Sequence, residues 1–120
     1  MATQDDVKRF LKSWKKAAAY FIDFVPRNKN IEGLQKLGLN VQLARKILKG
    51  LAVEDYVSGP ELDRDKGTND IWVFGVSENN QEVYIKIKLF SFQGQERAKC
   101  ISFHPAEHPL KYPLSGGNTK

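Results

Sequence analysis

Residues 82 to 104 place side chains capable of acid–base and phosphate chemistry at regular intervals along two predicted strands. From 82 to 89, polar and apolar side chains alternate strictly, which is the pattern of a strand with one buried and one wet face. The wet face carries a phenol and two ammonium groups, from Tyr84, Lys86 and Lys88. The next predicted strand adds Ser102 and His104 at the same parity. One sheet face is therefore expected to combine a proton-transfer group with positive charge, as in a metal-free phosphodiesterase or a nucleic-acid-binding surface.

Cleavage of RNA without a metal ion requires a base for the 2′-hydroxyl, cations for the charge on the phosphorane, and an acid for the leaving 5′-oxygen. His104 has the side-chain type whose ordinary pKa suits the acid or base role near neutrality. Lys86 is expected to stabilise the developing charge, and Tyr84 to donate a proton or to stack on a base. The alternative interpretation is that these residues form only the solvated side of a strand.

Residues 104 to 113 contain three prolines, which predict a stiff, extended strap folded back over the sheet. This strap would carry His108 and Tyr112 toward the polar face, where both are predicted to bind RNA together with Lys88 and Ser102. Two histidines and a glutamate lie within five residues here, but the chain has one cysteine and no other histidine to complete a tetrahedral zinc site. No metal or other cofactor is expected.

Two predicted hairpins determine which side chains lie opposite each other. The strands 71–77 and 82–90 flank Asn79 and Asn80, and asparagine tolerates the positive φ of a two-residue type I′ turn. In the last hairpin, the loop does not determine the register, and the alternation of side chains alone predicts which residues share a face of the sheet. The predicted polar-face pairs are Gly75–Tyr84, Val73–Lys86, Lys86–Ser102 and Tyr84–His104, and the predicted buried pairs include Ile85–Phe103 and Ile87–Ile101. Glycine and valine opposite the phenol and the ammonium would leave the polar face low and open.

Three helices and two short strands are predicted before this meander. The helices are expected from about Gln4 with Thr3 or Asp5 as the cap, from Asn28 or Asn30 to Gly38, and from Asn40 to Gly50. The short strands are expected over 20–25 and 53–57. Residues 58–69 are rich in turn formers and predict a long polar loop, of the kind that binds or gates. Residues 1–114 should form one domain, followed by a flexible tail over 115–120.

The net charge of +5 is concentrated in the N-terminal part of the chain. The predicted first helix carries a face of five cations, Lys8, Arg9, Lys12, Lys15 and Lys16. Such a face suits a polyanion or an acidic partner, but it is also common on solvated helices. The single cysteine, Cys100, is predicted to be a small buried side chain, which suits a reducing cytoplasm. No secretion signal or membrane span is expected, and no motif of a kinase, nucleotide-binding protein or serine hydrolase is found.

Several segments, in order, resemble the MqsR family of bacterial toxins from type II toxin–antitoxin systems. The resemblance covers about residues 5 to 113. It is carried by the segments Gly50-Leu51-Ala52-Val53-Glu54-Asp55-Tyr56, Asp70-Ile71-Trp72, Glu82-Val83-Tyr84-Ile85-Lys86-Ile87 and Cys100-Ile101-Ser102-Phe103-His104. Each segment is weak alone, and their shared order and spacing make the resemblance specific.

The resemblance implies a RelE-like α+β fold, with three helices packed on an antiparallel sheet of about four strands. It also implies a metal-independent endoribonuclease that cleaves mRNA, inhibits translation and growth, and is held inactive by a cognate antitoxin. By position, the family's catalytic tyrosine corresponds to Tyr84, and the basic residue after Ser-Phe corresponds to His104. Where the founding toxin has a lysine, this chain has Ser58, and Val73 replaces a glutamine.

The sequence therefore predicts a cytoplasmic mRNA interferase with His104, Tyr84 and Lys86 as catalytic residues, and Ser58 among the RNA-binding ones. Its expected partners are the mRNA substrate and an antitoxin protein, and the ribosome is a further candidate partner. The alternative from another class is a non-catalytic module that binds RNA or an acidic protein through the cations of the first helix.

Overall fold

The computed structural model of the chain describes residues 2–115. Three helices come first, α1 (Gln4–Ala18), α2 (Asn28–Leu37) and α3 (Val41–Lys49), with the short strand β1 (Ile22–Phe24) between the first two. A 3₁₀ turn (Val53–Asp55) leads into four longer strands: β2 (Tyr56–Asp63), β3 (Thr68–Glu78), β4 (Gln81–Phe92) and β5 (Gln95–Pro105). The predicted α+β class is confirmed.

The helices α1 and α3 begin at predicted capping residues, but α2 does not: its N-cap is Arg27, which makes no side-chain capping hydrogen bond, and Asn28 is already its first helical residue. Thr3 caps α1, since its hydroxyl accepts a hydrogen bond from the backbone N–H of Asp6 while the Asp6 carboxylate accepts one from Thr3. Gly38 ends α2 in the left-handed conformation, with φ of 71°. Asn40 caps α3 through the N–H of Leu43. Among the described residues, no helix has the length and apolar character needed to cross a membrane.

The sheet has five strands in the order β1-β5-β4-β3-β2, which corrects the prediction of about four antiparallel strands. Strands β2 to β5 form an antiparallel meander, but β1 pairs parallel with β5, with Ile22 opposite Ala98 and Phe24 opposite Cys100. The sequence predicted a strand here without its partner, because three residues of β-rich composition carry no information on direction. The sheet is therefore mixed.

The segment 58–69 was predicted to be a polar loop, and that prediction is wrong. Residues up to Asp63 belong to β2 and residues from Thr68 to β3, so only 64–67 connect the strands. The pairing of β2 with β3 is interrupted by three register shifts. An irregular edge strand with glycine and proline has the composition of a loop, which explains the error.

The β3–β4 hairpin has the predicted register. Asn79 and Asn80 both have positive φ, 51° and 63°, and Gly75 lies opposite Tyr84. In the next hairpin, Tyr84–His104 and Lys86–Ser102 pair as predicted, but Ile87 lies opposite Cys100 and not Ile101. A β-bulge at this point adds one residue to β5. The residues of β5 that precede the bulge therefore face the side of the sheet opposite to the one that strict alternation predicts.

The helices cover one face of the sheet, which we call the core face. Its central row consists of Tyr56, Phe74, Ile85 and Phe103, all fully buried against α1 and its neighbours. Cys100 is buried among them, as predicted. Ser115, expected to begin a flexible tail, closes a turn onto the Tyr112 carbonyl. The remainder of that expected tail, 116–120, lies outside the described residues.

Candidate active site

Opposite the core face lies the polar face, on which β4 and β5 bring Tyr84, Lys86, Ser102 and His104 together. Tyr84 and His104 are direct cross-strand partners, and their rings approach to 5.4 Å between centroids at an angle of 32°. The Lys86 ammonium lies 5.7 Å from the centre of the Tyr84 ring. The predicted geometry, with a phenol, an imidazole and an ammonium on one face, is confirmed; the roles of these residues remain predictions.

His104 is held in place by α2, which packs against the edge of β5 beyond the end of β1. There the fully buried Asn30 takes the place of a sheet neighbour: its amide donates to the carbonyls of Val25 and Ile101 and accepts from the N–H of Phe103. One turn later, Gly33 lies so close that a Cβ there would come within 2.6 Å of the His104 Cβ. His104 was predicted to be on a wet face, and instead it is 5% exposed.

The imidazole of His104 is held in one tautomer. Its Nδ1 lies 2.9 Å from the Pro105 carbonyl oxygen, which can only accept, so Nδ1 carries the proton. Burial lowers the pKa of His104, and the positive charges of Lys29 and Arg27 act in the same direction, against the Pro105 carbonyl and the Glu107 carboxylate. The ring is therefore neutral at pH 7, and its Nε2 lone pair is free to accept a proton.

Two cations at the start of α2 adjoin the cluster, and the sequence reasoning missed both. The Arg27 guanidinium donates to the Ser102 hydroxyl at 2.5 Å, and Lys29 forms an ion pair of 2.9 Å with Glu107. Arg27 itself is exposed, so it keeps further donors for a ligand. The available signal was Pro26, which marks the end of the predicted strand and the approach to the helix start that carries Arg27 and Lys29. Ser102, 1% exposed, acts as the acceptor that holds Arg27.

The strap folds back over the polar face, as predicted, and is held by one carboxylate. Glu82 accepts hydrogen bonds from the backbone N–H of Leu110 at 2.9 Å and from the Tyr112 hydroxyl at 2.7 Å. Burial and the Glu82 charge raise the pKa of Tyr112. Tyr112 and Leu110 fill the space over Gly75, so the polar face is not open there. His108 is exposed and, within residues 2–115, forms no hydrogen bond or ion pair.

Two other predicted site residues lie apart from the cluster. Lys88 was expected on a wet face, but it is 4% exposed and its ammonium lies 2.7 Å from Asp63 and 3.3 Å from Asp70. Ser58 lies two strands from Lys86 in the same row, and its hydroxyl donates to Glu61. In the described part of the chain, neither side chain forms a hydrogen bond or an ion pair with a residue of the cluster.

The arrangement can accept a proton at His104 Nε2, supply one from the Tyr84 hydroxyl, and stabilise an anion with Lys86 and Arg27. These are the functions that transfer of an RNA phosphate requires. In the described part of the chain, no group of three or more His, Cys, Asp or Glu side chains is placed to hold a metal ion.

The chain matches no protein-family model, and no curated protein or solved structure compared with it gives a match.

Proposed function

We propose that this protein is a metal-independent endoribonuclease, a toxin of a type II toxin–antitoxin system related to the MqsR family. The observation that carries the proposal is the contact of Tyr84 with a neutral, tautomerically fixed His104 beside two cations. Burying a histidine in neutral form destabilises the protein at low pH, and such perturbed groups cluster at functional sites.

In the proposed mechanism, His104 is the base. Its Nε2 removes the proton of the 2′-hydroxyl, and the resulting oxygen attacks the adjacent phosphorus. Lys86 and Arg27 stabilise the charge on the phosphorane oxygens. Tyr84 donates its proton to the leaving 5′-oxygen, leaving a 2′,3′-cyclic phosphate, and the nearby Lys86 ammonium stabilises the phenolate.

Arg27 supports this assignment because it supplies charge that the family pattern places elsewhere. Ser58 replaces a lysine of the founding toxin, and a hydroxyl cannot replace an ammonium electrostatically. Arg27 approaches the cluster from α2, across the β5 edge. In this proposal a cation from the helix layer takes over the task of a cation from β2.

The same proposal makes mRNA the substrate and gives the protein a cognate antitoxin, with cleavage in the cytoplasm inhibiting translation. The basic face of α1 is the basis of the alternative, a non-catalytic module for RNA or an acidic protein. Four of its cations, Lys8, Arg9, Lys12 and Lys16, are exposed, and Arg9 is paired with Asp6. Exposure alone fits a partner surface and a solvated face equally.

The proposal is tested with purified protein and a defined single-stranded RNA in excess EDTA. We expect cleavage with a cyclic or 3′ phosphate as the product, and no cleavage where a single 2′-deoxynucleotide replaces the scissile one. Expression of the parent should arrest bacterial growth, and His104→Ala should relieve that arrest. Cleavage that persists at the deoxynucleotide would contradict attack by the 2′-oxygen.

A further inference from the structure

The bulge in β5 extends the polar face beyond the candidate active site. Without the extra residue, strict alternation from His104 and Ser102 would place Cys100 and Ala98 on the polar face. Instead both are buried on the core face, and Lys99 and Arg97 take the polar positions. On β4 the alternation is uninterrupted, so Phe90 and Phe92 lie on the same face as Tyr84 and Lys86.

Along this face, aromatic rings and cations repeat in pairs. The Lys99 ammonium lies 5.6 Å from the centre of the Phe90 ring, and the Arg97 guanidinium lies 5.1 Å from that of Phe92. The row begins at the Tyr84–Lys86 pair. From Tyr84 to Phe92, eight steps of about 3.3 Å make a path of about 26 Å. Phe92 is 50% exposed, which is a large apolar surface for a hairpin tip.

A cleft of about 580 Å³ lies beside this row. The connection between β2 and β3 provides one wall, with Lys66 and Thr68, and the β4–β5 hairpin provides the other, with Phe90, Phe92 and Lys99. Two carboxylates also line it, Asp70 and Glu96. Asp70 is paired with Lys88, and within residues 2–115 Glu96 forms no ion pair with Arg97 or Lys99. The cations beside the Phe90 and Phe92 rings are therefore not held in ion pairs by these two carboxylates.

We infer that the part of this row beyond the candidate active site, Phe90, Phe92, Arg97 and Lys99, is a track for single-stranded RNA that leads to that site. Bases stack on the two phenylalanine rings, and the Arg97 and Lys99 side chains contact phosphates. The inference rests on the proposed ribonuclease function and names its substrate class, RNA with unpaired bases.

The chemistry of the row favours an unpaired strand over other polyanions. Stacking on a protein ring requires a base face that is not already stacked in a duplex. An acidic peptide would use the cations but would gain nothing specific from the planar rings of Phe90 and Phe92. A strand of bases joined by phosphates matches both features at once.

The test uses fluorescence anisotropy with a labelled ten-nucleotide single-stranded DNA, which lacks the attacking hydroxyl and survives the measurement. Phe92→Ala should weaken binding about 5-fold to 150-fold, the usual worth of one stacked base. Arg97→Gln with Lys99→Gln should flatten the slope of log K against log salt by about 1.4, because two phosphate contacts are lost. The matched control is Leu43→Ala with Lys46→Gln on α3, which removes an exposed apolar residue and a cation elsewhere. It should bind as the parent does.

Cleavage gives the second readout. In the parent, kcat/KM should increase as the RNA is lengthened from two to ten nucleotides, and Phe92→Ala should remove that gain. A parent that cleaves RNA, with Phe92→Ala and the α3 control indistinguishable, would overturn the track and leave the function standing. A parent that cleaves nothing but loses DNA binding in Phe92→Ala would overturn the function and leave a single-strand-binding track. Equal competition by decaglutamate or by a DNA duplex would contradict a site for unpaired bases.

Discussion

Lys86 and Lys88 have the same side chain, strand and sheet face, but their surroundings give them opposite tasks. The Lys86 ammonium is half-exposed beside the Tyr84 ring and, among the described residues, has no carboxylate partner. Lys88, one pleat further along, is enclosed between Asp63 and Asp70. Asp63 belongs to β2, in the segment that had the composition of a loop, and Asp70 belongs to β3. The comparison shows that a row of cations on a strand contains both a candidate reagent and a structural ion pair.

The largest effect on stability is expected from Lys88→Met. Removing the ammonium leaves two carboxylates in a mostly enclosed site, and losing one partner of a buried ion pair costs about 3 to 5 kcal/mol. We expect the low end, because the Asp70 side chain is 34% exposed. Urea unfolding measures the free energy. Lys86→Met is the control and should differ from the parent by less than about 0.5 kcal/mol.

A triple variant sharpens that result. Lys88→Met combined with Asp63→Asn and Asp70→Asn removes the uncompensated charges, so most of the lost stability should return. If the triple variant is as unstable as Lys88→Met alone, the loss comes from packing and the ion-pair account of Lys88 is wrong.

Substitution of Lys88 has the larger expected effect on stability, whereas substitution of Lys86 has the larger expected effect on activity. Lys86→Met should lower the single-turnover cleavage rate about 10²-fold to 10³-fold, since it removes a donor to the phosphorane. Arg27→Gln should lower it by about 10-fold, because the guanidinium lies at the outer side of the cluster. Lys111→Met, an exposed cation on the strap, is the control and should cleave at the parent rate. Equal rates for Lys86→Met and the control would remove Lys86 from the site.

Gly33→Ala tests whether α2 positions the imidazole. The added Cβ would lie 2.8 Å from the His104 Cα, so the helix or strand must shift, at a cost of about 1 to 3 kcal/mol. We expect kcat to fall by more than the fraction of protein that is unfolded at the assay temperature, as calculated from the melting temperature, can explain. Gly67→Ala is the control: its φ of 71° is strained for alanine, but its Cβ would meet no atom within 4 Å. Unchanged kcat in folded Gly33→Ala would contradict the positioning role.

The smallest expected effect is on the pH dependence of stability. Because the folded protein lowers the pKa of His104 below its ordinary 6.5, the unfolded state binds more protons between those two values. The stability that comes from a neutral His104 is complete above pH 6.5 and is lost as the pH falls toward the lowered pKa. Urea unfolding of the parent and of His104→Gln from pH 7.5 to 5 should show a steeper loss in the parent. A parallel pair of curves would contradict the assigned burial effect.

The sequence predicted the hairpin registers because side-chain alternation and the paired asparagines act locally. It placed Tyr84 opposite His104 for the same reason, and these pairs define the candidate site. It missed the bulge at Ile101, since nothing in a run of Cys-Ile-Ser marks which residue is extra. Strict alternation therefore predicted Ile101 opposite Ile87, where the structure has Cys100.

Tertiary neighbours explain the other differences. The burial of His104 depends on Asn30 and Gly33, which lie more than seventy residues earlier in the chain and read as ordinary helix residues. The enclosure of Lys88 depends on Asp63 and Asp70, and the charge beside Ser102 on Arg27. None of these contacts has a spacing that periodicity could reveal, because each joins a different element to the polar face.

The central claim is that His104 acts as the base in RNA cleavage. Single-turnover cleavage of a short RNA in EDTA by His104→Ala, compared with the parent, tests it most directly. The account predicts a rate lowered about 10²-fold to 10⁴-fold, the usual contribution of a general base, in a variant that still unfolds cooperatively. Lys12→Glu with Lys16→Glu, on the basic face of α1, should leave that rate almost unchanged. If His104→Ala cleaves as fast as the parent while the double charge reversal abolishes RNA binding, the active site is misassigned and the binding-module alternative is favoured.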